Sequence, residues 1–140
     1  MAQTFSLTGF ASFLGTLAKV EHVRHSALEQ AAQIVEDEAR RVIGTYDYQW
    51  PRLAASTLRK KKNDTPLLET GKLRDSISHI VEGHRAQIGT NEKSGLYAEL
   101  GTKNEPPRSF LMGAAVHKTK EILEVIGEHY FRHLSGGKAP

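Results

Sequence analysis

Apolar residues recur at helical spacing from about Ser12 to Ile43. Phe13, Leu17, Val20, Leu28, Ala31, Val35, Ala39 and Val42 fall close to one stripe, with Glu, Arg and Gln between them. Gly44 follows the last periodic residue and reads as the stop. An unbroken helix of that span would run about 45–48 Å at about 1.5 Å per residue. A compact domain of this size has a radius of gyration near roughly 14 Å. The pattern therefore predicts a long first helix that overhangs its own core and needs a neighbour to cover its stripe. The alternative is a break at Ser26-Ala27-Leu28-Glu29, which has the form of a capping box.

Residues 45–66 read as a connection holding a short helix near Arg52–Lys61, with Pro51 suited to its first position. Residues 76–82 alternate as a strand does, with Ile77, His79 and Val81 on one side and Ser78, Ile80 and Glu82 on the other. Gly83-His84-Arg85 is a turn, and residues 86–90 are a second short strand, which together predict an antiparallel hairpin. Residues 96–100 (LYAEL) fit no element clearly, with Tyr97 and Glu99 alternating against Ala98 and Leu100. Gly101 to Ser109 is a loop stiffened by Pro106 and Pro107. A second amphipathic helix is predicted from about Phe110 to Leu134, through Leu111, Ala114, Ala115, Ile122, Ile126 and Tyr130. Residues 135–140 are expected to be a flexible tail after a single domain over 1–134. The order gives an α+β fold with a long N-terminal helix, a small antiparallel sheet and a C-terminal helix. A sheet this small has edges that the helices or another subunit must cover.

Composition narrows the chemistry. The 140 residues carry 19 Lys+Arg against 16 Asp+Glu. The excess is spread evenly, with 9 basic and 8 acidic residues up to position 70 and 10 and 8 after it. That argues against a dedicated nucleic-acid module, which would gather cations on one face. The 39% hydrophobic share implies a thin core and favours assembly into something larger. With no cysteine, a disulfide framework, a thiolate zinc site and cysteine catalysis are excluded. The uncharged residues 1–18 lack a basic leader region and are interrupted by Ser, Thr and Gly, so neither a signal peptide nor a membrane span is expected.

Motifs for catalysis are missing. Thr70-Gly71-Lys72 lacks the earlier glycine and the following hydroxyl of a phosphate loop, since Pro66 and Leu73 stand there. His129 and His133 lie four apart and His22 and His25 three apart, but no third ligand or HExxH motif accompanies them. No GxSxG elbow is present, and nothing marks Glu99 and Glu105 as an acid–base pair. No enzyme, metal or cofactor is expected. The run Arg59-Lys60-Lys61-Lys62 is the sharpest charge feature. It reads as a solvated helix end that complements the helix dipole, with phosphate contact as the other reading. Trp50, Tyr46 and Tyr48 before it read as a core anchor or a subunit contact.

Three stretches together carry a resemblance. They are WPRLAASTL at 50–58, PLLETGKLRDSI at 66–77, and a third set formed by IGTN at 88–91, YAELGT at 97–102 and PPRSFLMGA at 106–114. In order and spacing the chain resembles the tail-completion and head-to-tail joining proteins of long-tailed bacteriophages. Leu100 stands where that family commonly has Phe, and Pro107-Arg108-Ser109-Phe110 where it commonly has Ala-Arg-Pro-Phe.

The resemblance implies a non-catalytic virion subunit of the neck, without a cofactor, assembled in the host cytoplasm. Such proteins form a homomeric ring, usually of six copies, between the head connector or stopper and the tail terminator or tail tube. DNA passes through the lumen without sequence-specific binding, and no membrane is involved. Trp50, Arg59, Lys60, Tyr97, Glu99, Pro106, Pro107, Arg108 and Phe110 are the expected subunit or partner contacts. Thr70-Gly71 is expected to make a turn that aims Leu73 and Ile77 at the core. The alternatives are a tail terminator or head-closure subunit, or, from a different class, a small nucleic-acid-binding regulator using the Arg59–Lys62 run.

Overall fold

A computed structural model describes residues 21–61 and 63–134. The expected start of the first helix over 12–20 and the expected tail over 135–140 lie outside the described residues. The elements are α1 (Glu21–Val42), α2 (Ala55–Lys60), α3 (Lys72–Ser76), β1 (Ser78–Glu82), β2 (Arg85–Gly89), α4 (Lys93–Leu100), α5 (Leu111–His117) and α6 (Thr119–Leu134). The fold is α+β, with a two-stranded antiparallel sheet among helices.

Helix α1 is the axis of the molecule. It is continuous through Ser26–Glu29, so the capping-box sequence makes no break. The described part of its stripe, Val23, Ala27, Leu28, Ala31, Val35, Ala39 and Val42, is buried within the chain. Helices α5 and α6 cover one side and the hairpin covers another. The part of the expected stripe at Phe13, Leu17 and Val20 lies outside the described residues. The chain hides an interior that also holds Ile77, Ile88, Phe110, Leu111, Ile122 and Ile126. Each such side chain contributes about 1.5–3 kcal/mol on burial. Gly44 ends α1 at φ 89°, and its N–H donates to the Pro66 carbonyl at 2.8 Å.

The hairpin forms where the alternation predicts it. Ser78 pairs with Gly89, His79 with Ile88 and Glu82 with Arg85, across a Gly83-His84 turn. His79 and Val81 face inward and Ile80 stays 56% exposed. The preceding residues depart from the strand reading, because Lys72–Ser76 are one turn of helix. Gly71 enters that turn at φ 84°, a conformation that costs glycine little. Leu73 and Ile77 then point into the core, as the Thr70-Gly71 turn implies.

Three further segments differ from the sequence reading. Residues 93–100 are helical, and their buried side is Gly95, Ala98 and Glu99, three positions at helical spacing. The alternation of Tyr97 and Glu99 against Ala98 and Leu100 therefore does not hold: Tyr97 and Leu100 are exposed and Ala98 and Glu99 buried. The single closing helix is two helices joined at Lys118. There the Thr119 hydroxyl donates to the Ala115 carbonyl at 3.0 Å, competing with the backbone ladder. Pro51 is not the first residue of the short helix, which begins at Ala55; the Pro51 carbonyl instead accepts hydrogen bonds from Arg108.

Candidate functional site: a groove beside helix α4

The loop after α4 is fixed from beneath by two buried charged residues. The Arg108 guanidinium donates to the Pro51 carbonyl at 2.8 and 3.1 Å and to the Arg52 carbonyl at 3.2 Å. Its backbone N–H donates to the Ala98 carbonyl at 2.6 Å. The planar fork of arginine suits two adjacent carbonyls in a way that a lysine ammonium does not. Glu99 accepts the Leu111 N–H at 2.5 Å and the Ser109 hydroxyl at 2.8 Å, and Ser109 Oγ accepts the Gly113 N–H at 3.1 Å. Helix α5 would otherwise begin with these donors unpaired. The carboxylate also places negative charge at a helix N-terminus, where it is favoured.

With the loop held this way, a groove of about 630 Å³ opens along α4. It is lined by Leu53, Thr57, Lys61, Leu67 and residues 69–73. Glu92, Ser94, Tyr97 and Ala98 also line it, with Thr102, Asn104, Glu105 and Arg108. Lys72 and Glu92 lie 3.8 Å apart, as do Arg108 Nη1 and Glu105. Leu67 holds φ 64°, an uncommon conformation for a branched side chain. The groove is thus part apolar and part charged, with both signs present. No histidine lines it, and it brings together no nucleophile and base.

The expected contact residues divide into two groups. Arg59, Lys60, Tyr97, Pro106 and Pro107 are exposed, and of these Tyr97 lines the groove. Trp50, Glu99, Arg108 and Phe110 are buried within the chain and act as internal supports, and Arg108 also lines the groove. Phe110 is fully buried. Trp50 meets the Tyr48 ring edge-on at 5.8 Å between centroids. The Tyr48 ring also stacks on His117 at 3.9 Å, and its hydroxyl donates to Glu38 at 2.6 Å.

Two buried carboxylates on α1 escaped the sequence reading. Glu38 accepts from Arg41 at 2.7 and 2.9 Å, and this holds its carboxyl down to about 2 against the opposing effect of burial. Glu36 binds the Arg40 guanidinium at 2.8 Å and His79 Nδ1. The i,i+3 and i,i+4 spacings of these acid–Arg pairs are visible in sequence. That both carboxylates are buried is not. Among the described residues no cluster of His, Asp and Glu is arranged to hold a metal, and no helix is long and apolar enough to cross a membrane. His129 Nδ1 lies 2.9 Å from the Val125 carbonyl. No protein-family model, no curated protein and no solved structure matches this chain.

Proposed function

We propose that this protein is a structural subunit of a phage-type particle, a tail-completion or head-to-tail joining protein that works as a ring of copies at the top of the tail. One observation carries the reading. The three separate stretches that resemble that family meet around a single groove: Leu53 and Thr57 from the first, Leu67 and residues 69–73 from the second, and Tyr97, Ala98, Thr102 and Arg108 from the third. A groove built by all three stretches supports a surface that receives a neighbour.

The mechanism is self-association plus docking. The Pro106-Pro107 loop loses little entropy on being held, because its backbone is already restricted. Arg108 and Glu99 hold that loop and α5 in place from below. Tyr97, 53% exposed, and Leu100, 62% exposed, offer apolar area at the rim. A ring subunit needs this kind of fixed surface, since a head-to-tail interface closes only if its angle is constant.

The test is genetic and visual. The gene is removed from the element that encodes it, and particles are imaged by negative-stain electron microscopy. Separate heads and tails are expected, rejoined when the wild-type chain is supplied and not when Tyr97→Ser with Pro106→Ser and Pro107→Ser is supplied. Particles that join normally without the chain would overturn the proposal. A reconstruction of the neck then distinguishes this ring from a tail terminator or head-closure ring by its position.

A further inference from the structure

The hairpin is fastened to α1 through one histidine. His79 sits on the inward face of β1, and its side chain is only 11% exposed. Nδ1 meets Glu36, whose side chain is 9% exposed, and Nε2 meets Glu29 at 2.5 Å. Glu29 and Glu36 are seven residues apart, two turns of α1, so the imidazole bridges the helix lengthwise. Ionised carboxylates only accept hydrogen bonds, so meeting one at each nitrogen requires two N–H donors, and only the imidazolium has two. A neutral ring would set a nitrogen lone pair against one of the carboxylates.

We propose that His79 is a proton-operated latch: as the imidazolium it clamps the β-hairpin to α1, and on losing its proton it releases one of its two carboxylates and loosens the hairpin.

The surroundings fit that role. On α1 the ionisable groups facing the ring are Glu29 and Glu36, and Arg40 bonds the far oxygen of Glu36 at 2.8 Å. Arg40 also donates to the Ile77 carbonyl at 2.5 Å, joining the same helix to the entry of β1. From β2 the residues beside His79 are Ile88 and Ala86, neither of which titrates. The sheet has two strands, and among the described residues β1 pairs with β2 alone. A lone hairpin is marginal in water and depends on what it packs against. Burial works against the charged ring, and its hydrogen bonds to Glu29 and Glu36 outweigh it, so His79 is held protonated above its ordinary range. The latch is closed at low pH and opens as pH rises through that raised value.

The experiment uses the full chain. The His79 ring is titrated by NMR, and amide exchange protection in 78–89 is compared with that of central α1 at each pH. A midpoint above the ordinary 6.5 is expected, with hairpin protection falling about tenfold across it, the scale of one charge-assisted hydrogen bond. Protection at Ala31 and Val35 should not follow. Glu29→Gln, at a half-exposed position, should lower the midpoint and move the loss of protection to lower pH. His79→Gln should make hairpin protection independent of pH. A midpoint at or below 6.5, or hairpin protection that ignores the His79 titration, would overturn the proposal.

Discussion

Arg108 Nη2 lies 2.8 Å from the Pro51 carbonyl oxygen, across 57 residues of chain. This contact joins the segment after α1 to the loop after α4, and the groove lies between them. A buried cation here is satisfied by neutral carbonyls, with Glu105 at 3.8 Å as its nearest carboxylate partner. Its role is to hold two backbones at a fixed separation.

Arg108→Met should therefore cost about 1–3 kcal/mol, because two carbonyls lose their donors. Arg108→Lys should restore little of it, since one ammonium does not reproduce the fork. Urea unfolding followed by far-UV circular dichroism reads both variants. A fully stable Arg108→Met protein would show that the two segments hold together without the guanidinium.

Close approach at α4 makes a second prediction. A Cβ built on Gly95 would lie 2.4 Å from Thr90 Cγ2 and 3.1 Å from Leu73 Cδ1. Gly95→Ala should destabilise by about 1–3 kcal/mol through overpacking. Gly127 on α6 faces open space, so Gly127→Ala should stabilise by about 0.5–1 kcal/mol. Opposite shifts in thermal midpoint are expected from the same chemical change.

Acid should unfasten α1 from the Tyr48 segment. The folded Glu38 carboxyl is held at about 2, below its ordinary 4.5, by Arg41 and Tyr48. A depressed folded value means stability that is complete above 4.5 and is lost as pH falls from there toward 2. Glu38→Gln should remove that part of the acid dependence and cost about 1–3 kcal/mol at neutral pH. Chemical denaturation of both proteins from pH 6 to pH 2 checks the sign.

Core and rim can be separated experimentally. Phe110→Ala should cost about 3–5 kcal/mol, as a fully buried aromatic does. Tyr97→Ser, at a half-exposed position, should change stability by under about 0.5 kcal/mol. If particles fail to join with the Tyr97 variant while its melting is unchanged, the defect lies in contact. The same failure with the Phe110 variant would reflect folding.

Much of the architecture was readable in the order of residues. Periodicity fixed α1 to its stop at Gly44, and alternation fixed the hairpin and which side of it faces inward. These signals are local and repeat every few residues, so the sequence alone determined them. Helix α4 was not readable, because its buried stripe is Gly95, Ala98 and Glu99, a set with almost no hydrophobic contrast. That α6 and the hairpin fold back over the described part of α1 was likewise decided only by the tertiary structure. Tertiary structure also decided which charges are buried. Glu99, Arg108 and Glu36 look like surface residues in sequence, yet each is placed inside or against the interior by partners 10 to 57 positions away. Burial of a charge depends on such distant partners, which no local pattern of residues encodes.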